Sequence, residues 1–246
     1  MNDLNTKVTG IIMADGASSR MGTNKANAQL GSETLLDRAV NLMEPVCDKL
    51  IINTTNDLQM ASANVSPLFQ NMVLISGNGR NVGKTTFACR IIKHLSQKHE
   101  VTGIKISSHF HPVDDKHEIF AQTSDYIIVK ELVESRKDSS LMLQAGAKDV
   151  YFIMSKKETT GEAFMHIAGK LAKHPIVCES GGLGNSVHPG LYLFVNKANR
   201  PVEKPWLLKG TAIVVTNQDF RFDFDVSQIG FRNNQIILKN LFYGKV

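Results

Sequence analysis

MVLISGNGRNVGKTTFACRII, residues 72–92, reads as an apolar strand, a loop holding Gly77, Gly79 and Gly83, then Lys84, Thr85, Thr86 and an amphipathic helix. Strand, glycine loop and helix in that order are the context that a phosphate-binding loop requires. Glycines let backbone N–H groups converge on phosphate oxygens, and the helix N-terminus adds its dipole. Lys84 is placed to reach the β and γ phosphates of a nucleotide, and Thr85 to ligate Mg²⁺. The common G-x-x-x-x-G-K-[ST] spacing would put its first glycine at Asn78, so this loop opens at Gly77 and is one residue longer. The nucleotide-binding candidates are therefore Gly77, Asn78, Gly79, Arg80, Asn81, Val82, Gly83, Lys84, Thr85 and Thr86.

Outward from this loop the chain alternates short Val- and Ile-rich runs with longer amphipathic segments, the rhythm of βα units on a mostly parallel sheet. The expected class is α/β, a P-loop-like sheet with helices on both faces and a small N-terminal βαβ segment. Upstream, strands are expected at Val8 to Met13 and Lys49 to Asn53, flanking a helix at Glu33 to Met43. Thr54 to Pro67 lacks periodicity and reads as a linker between a segment 1–65 and a domain 70–246. Around the loop, strands are expected at Met72 to Ser76 and Val101 to Ile106, with a helix from Lys84 to about Ser96. Further strands read at Tyr126 to Val129, Val150 to Met154, Ile176 to Cys178, Leu191 to Val195, Ala212 to Thr216 and Gln235 to Leu238. Helices read at Lys137 to Ala145 and Gly161 to Lys173.

A nucleotide site of this kind also needs an acidic residue at a neighbouring strand end, to hold the hydrated metal or orient a water. Glu179, in HPIVCESGGL, is that residue, with Lys84 and Glu179 the candidates for chemistry and Thr85 and Glu179 for the metal. Lys105, near the end of the strand expected at Val101 to Ile106, is a further phosphate contact. Asp114 and Asp115 form a second carboxylate pair near the same edge. His109, His111 and His117 lack a convincing third and fourth zinc ligand and read better as nucleotide-edge or structural residues. For the base, VNKANRP from Val195 is similar to the N-K-x-D signature of GTP-binding proteins with Asn199 in place of the Asp. TNQD at Thr216 to Asp219 keeps the Asp but has Asn217 for the Lys. The choice between GTP and ATP stays open.

The second half resembles the MobB family, GTP-binding adaptors of molybdopterin-guanine dinucleotide biosynthesis. The resemblance rests on GNGRNVGKTT, on VTGIKISSHFH, and on KDSSLMLQAGAKDVYFI at Lys137 to Ile153, in the expected order. The longer loop and ESGGLGNSVHPG also resemble dethiobiotin synthetase. The opening GIIMADGASSRMGTNK resembles MobA-like nucleotidyltransferases, with Gly16, Ser18, Arg20, Met21, Gly22 and Lys25 matching, Asp15 replacing a loop glycine and Asn24 an Asp. That likeness ends near Asp57, so no independent guanylyltransferase is expected from it. The resemblances imply a GTP- and Mg²⁺-binding adaptor with weak or no GTPase activity, working with molybdopterin or a MobA-type guanylyltransferase, and by analogy a homodimer. The alternatives are an ATP-dependent ligase of the dethiobiotin synthetase type and a nucleotide-sensing regulator.

Composition supports a folded chain and excludes other classes. Of 246 residues 42% are hydrophobic and 21% charged, with 18 Gly and 7 Pro, unlike disordered or collagenous sequences. The net charge of +5 is spread along the chain, which suits an anionic ligand and argues against nucleic acid or membrane partners. Cys47, Cys89 and Cys178 are odd in number and widely spaced, so no disulfide framework or CxxC site can be written from them. No stretch approaches the ~18 apolar residues of a membrane span. The expectation is a cytoplasmic protein.

Overall fold

The computed structural model describes residues 9–14, 28–30, 33–43, 47, 49–53, 65–114, 117–132, 140–171, 174–203 and 212–239. The chain divides into two compact units, Met1–Phe69 and Gln70–Val246.

The first unit contains β1 (Thr9–Met13), β2 (Gln29–Leu30), β3 (Glu33–Thr34), α1 (Leu35–Met43), β4 (Lys49–Asn53) and the start of β5 (Val65–Gly77). β1 runs parallel to β4 with Ile11 opposite Ile51, and Leu50 to Asn53 pair in parallel with Val65 to Leu68. The helix begins at Leu35, later than the periodicity suggests, because Thr34 caps it. The Asp37 amide donates to Thr34 Oγ1 (3.0 Å), and Asp37 Oδ2 accepts from the Thr34 amide (3.1 Å) and hydroxyl (2.6 Å). A capping residue has non-helical backbone, so Glu33 and Thr34 pair with β2 instead. Leu36 and Val40 pack with Ala14, Leu50 and Ile52. The expected linker gives way at Val65, where pairing with β4 starts β5 despite Ser66 and Pro67 breaking the apolar pattern.

In the second unit α2 (Lys84–Leu95), β6 (Thr102–Ser107), β7 (His117–Gln122), β8 (Tyr126–Glu131), α3 (Ser140–Gln144), β9 (Asp149–Ser155), α4 (Thr160–Ala168), β10 (Ile176–Glu179), β11 (His188–Lys197), β12 (Ile213–Gln218) and β13 (Arg221–Phe222) follow β5. The hairpin β14 (Ile229–Arg232) and β15 (Gln235–Leu238) follows. The strand order is β13-β12-β11-β5-β10-β6-β9-β8-β7. β5–β10, β10–β6, β6–β9 and β11–β12 are parallel, whereas β8, β7 and β13 join antiparallel at the edges. This is a mixed α/β fold with a large, mostly parallel sheet.

Strands covered on both faces read as continuous apolar runs, and Met72, Val73, Leu74 and Ile75 are all fully buried. α2 packs Phe87, Ala88, Ile91 and Ile92 against Val73, Ile75, Val177 and Leu193. By strand alternation Met72 and Leu74 point to the other face. α4 packs Phe164 and Ile167 over β8 and β9. β7 escapes a reading of the sequence because HEIFAQ is an edge strand with Glu118 and Ile119 exposed. Two expected helices are shorter than their amphipathic spans. α3 ends at Gln144, after which Gly146 takes φ +101, and α4 ends at Ala168 ahead of Gly169. Lys137–Ser139, before α3, lie outside the described residues.

Candidate functional site

Parallel pairing puts the carboxyl ends of β5, β10 and β6 side by side, with Glu179 in register with Ile75 on one side and Lys105 on the other. Crevices at the carboxyl ends of parallel strands are the usual ligand sites of open α/β sheets. The loop Gly77–Thr86 leaves β5 at this edge.

Gly79, Asn81 and Gly83 take φ +95, +58 and +96, so left-handed residues alternate through the loop. Such alternation turns successive N–H groups to one side, as in anion-binding nests. Gly83 is also the cap before α2, and a side chain there would run into Asn217 and approach Phe222. Lys84, the first residue of α2, folds back so that Nζ donates to the Gly79 carbonyl at 2.5 Å. Thr85 Oγ1 donates to Glu179 Oε2 at 2.8 Å. Lys105 Nζ lies 3.3 Å from that carboxylate oxygen and donates to Thr85 Oγ1 at 3.2 Å. The Lys105 and Glu179 side chains are only 14% and 8% exposed. Charges this buried are tolerated when paired and hydrogen-bonded. A carboxylate and a hydroxyl in contact form a hard-oxygen donor set of the kind Mg²⁺ takes, and Lys105 holds positive charge against it.

The opening of the loop is spent on the protein itself. A Cβ at Gly77 would come within 2.6 Å of the Val195 carbonyl, so the glycine permits close approach of β11. Asn78 is fully buried. Its amide donates to Val195 O (3.0 Å), its Nδ2 to Asn196 Oδ1 (2.9 Å) and Pro201 O (2.7 Å), and its Oδ1 accepts from the Glu203 amide (2.7 Å). An amide side chain can donate and accept at once, and here it straps the loop to the turn after β11. Val82 is buried and its carbonyl accepts from Asn217 Nδ2 at 2.9 Å. Asn196 and Asn217, from the two N-K-x-D-like segments, thus brace the loop. Arg200, not singled out by the sequence, lies over Gly79 and donates to Glu203 Oε1 at 2.8 Å. Thr86 is half-buried on the first turn of α2.

The remaining candidates scatter. Arg80 meets His109. His111 stacks on Phe152 with centroids 6.2 Å apart, and His117 lies between Asp114 (2.6 Å) and Glu131 (3.5 Å). The three histidines therefore serve three separate contacts. Asp115 and the segment Asp15 to Lys25, including the matching Gly16, Ser18, Arg20, Met21 and Gly22 and the departing Asn24, lie outside the described residues. Next to Glu179, burial pushes the Cys178 thiol above its ordinary range, with the neighbouring carboxylate acting in the same direction. Tyr192 shifts upward for the same first reason, opposed by its hydrogen bond with Ser76 at 2.9 Å.

Residues 10–77 match the family of MobA-like NTP transferase domains, a segment ending at the glycine that opens the loop. The match confirms a MobA-like resemblance, carries it past Asp57, where the residues alone suggest it ends, to the end of β5, and associates that part with nucleotide handling. No curated protein and no solved structure matches the chain.

Proposed function

We propose that the chain binds GTP with Mg²⁺ at the loop Gly77–Thr86 and assists the attachment of GMP to molybdopterin, with little or no hydrolysis of its own. The observation that carries this reading is the Thr85–Glu179 hydrogen bond beneath a loop closed by Lys84 on Gly79. Lys84 would exchange the Gly79 carbonyl for phosphate oxygens, a charge-assisted contact stronger than the neutral acceptor it replaces. The Gly79 amide donates to the Gly77 carbonyl at 2.9 Å, so the amides around Asn81 and Gly83 would add donors, and Lys105 supplies a second buried cation. Thr85 and Glu179 would hold Mg²⁺, which when bound neutralises phosphate charge. Such a site works by positioning and electrostatics. The MobA-like match over residues 10–77 supports placing the chain in molybdenum cofactor work; the partner we propose for it is a MobA-type guanylyltransferase or molybdopterin.

Calorimetric titration with GTP and with ATP, each with Mg²⁺, tests the reading in wild type and Lys84→Ala. A GTP preference lost in the variant is the expected result. Equal affinity in the two proteins would sink it. A second reading, phosphoryl transfer from ATP in the manner of dethiobiotin synthetase, is favoured by the segment after Glu179. There Ser180 Oγ accepts from the Gly182 (3.2 Å) and Leu183 (3.1 Å) amides, and a side chain at Gly181 or Gly182 would meet nothing within 4 Å. That open space suits a second substrate. An ATP preference, with ADP released only when a small acid is added, would select it.

A further inference from the structure

Arg200 sits on a turn whose backbone is pinned on both sides. After β11 the Arg200 amide donates to the Lys197 carbonyl (3.2 Å), and its own carbonyl accepts from Asn196 Nδ2 (2.9 Å). Asn199, between them, takes φ +60, a conformation that asparagine adopts readily. Asn78 of the phosphate-loop candidate then holds the Pro201 carbonyl and the Glu203 amide, at 2.7 Å each. These hydrogen bonds fix where the Arg200 side chain sets out, and the last two come from the loop itself.

The side chain turns back over the loop. A Cβ at Gly79 would stand 3.4 Å from Arg200 Nη2, 3.7 Å from Nη1 and 3.8 Å from Cζ, so the guanidinium covers a place that glycine leaves open. Glu203 Oε1 holds it there, accepting from Nε (3.1 Å) and Nη2 (2.8 Å). The two side chains are 35% and 50% exposed, and an ion pair this open to water contributes little to stability. Folding alone therefore gives no strong reason for an arginine above this glycine. Arg80, the loop's own guanidinium, is engaged by His109.

Gly79 also marks a place along the nucleotide. Lys84 Nζ donates to the Gly79 carbonyl at 2.5 Å, and the lysine in this position of a phosphate loop serves the β- and γ-phosphates. Arg200 and Lys84 thus meet at one residue, two cations at the terminal end of the phosphate chain. We propose that Arg200 contacts the γ-phosphate of the nucleotide held by the loop, and that the Glu203 carboxylate competes with that phosphate for the guanidinium. The proposal rests on the phosphate site put forward above. The γ-phosphate is the outer of the two and carries the larger charge. A guanidinium pairs with two of its oxygens at once, a charge-assisted contact stronger than an exposed carboxylate pair. Arg200 thereby makes the site tell a triphosphate from a diphosphate.

Titration of the full chain with the Mg²⁺ complexes of GTP and GDP, together with thermal unfolding, tests this in Arg200→Gln and Glu203→Gln. Arg200→Gln is expected to lower GTP affinity about tenfold, the scale of a lost hydrogen bond to a charged group, and to leave GDP affinity unchanged. Both titrations are run below the variant's Tm, so a change of stability does not mimic a change in the GTP-to-GDP ratio. Glu203→Gln keeps a side-chain oxygen for Nε and the amide that Asn78 holds but removes the competing charge. GTP affinity in that variant is expected to rise about threefold. An equal fall for GTP and GDP in Arg200→Gln would make the arginine a brace of the loop and overturn the proposal, as would an unchanged GTP affinity. A fall in GTP affinity in Glu203→Gln would mean that the ion pair builds the site, and overturns the competition. In each of these cases the phosphate site still stands if Lys84→Ala abolishes GTP binding. A wild-type chain that binds no nucleotide overturns both readings.

Discussion

β1 and β5 are both paired in parallel with their neighbours, yet the two strands are buried to different degrees. Met72 through Ile75 of β5 are fully enclosed, whereas Ile11 and Met13 of β1 are 55% and 66% exposed on the face away from α1. β5 lies between β11 and β10, and α2 covers it with Phe87, Ile91 and Ile92. A strand enclosed in this way cannot shift without opening cavities, so the residues leaving its end inherit a fixed position. The enclosure around β5 thus decides where the loop after it stands.

The largest expected effect sharpens that contrast. Ile75→Ala should cost about 2–5 kcal/mol in denaturant unfolding, from lost burial plus the cavity left behind. Ile11→Ala, at a half-covered position, should cost less than about 1 kcal/mol. Equal losses would break the comparison and show that the outer face of β1 is covered in solution.

The next effect is on binding. Lys84→Ala should reduce GTP affinity by roughly 100-fold, the scale of losing charged hydrogen bonds. An unchanged affinity would mean that the loop is not the site being titrated.

A smaller loss is expected in Glu179→Gln, where GTP affinity in excess Mg²⁺ should fall about tenfold and affinity without Mg²⁺ should change less. An equal fall in both conditions would mean that Glu179 acts only by holding Lys105.

The smallest effect belongs to the first unit. Thr34 bonds hold the Asp37 carboxyl below its ordinary value of 3.8. A depressed folded-state pKa adds stability above the unfolded value and loses it as pH falls through the folded one. Asp37→Asn should therefore be slightly less stable than wild type at neutral pH, with the gap closing below pH 3.8. A gap that persists in acid would mean that the amide disturbs the cap for reasons other than charge.

Much of the scaffold was legible in the residues. The start of α2 at Lys84, the strand β4 and the last strand, Gln235–Leu238, coincide with their sequence patterns because local periodicity and glycine placement govern them. α1 starts later than its sequence pattern, because Glu33 and Thr34 fit an amphipathic spacing while Thr34 serves as the cap. The roles of Asn78, Asn196 and Asn217 were not legible. Each sits in a motif that suggests a ligand contact, yet each spends side-chain hydrogen bonds on a neighbouring turn. Arg200 carried no motif, and only its position over Gly79 brings it into view.

The α/β class, the buried strands and the loop with its lysine and threonine follow from apolar runs, helical spacing and glycine chemistry within short windows of residues. Tertiary structure alone decided which polar groups meet. Thr85 reaches Glu179, 94 positions away, and Asn78 reaches Pro201, 123 away. Those meetings depend on β10 and β11 flanking β5. Strand order is set by packing of the whole sheet, which no local window of residues contains.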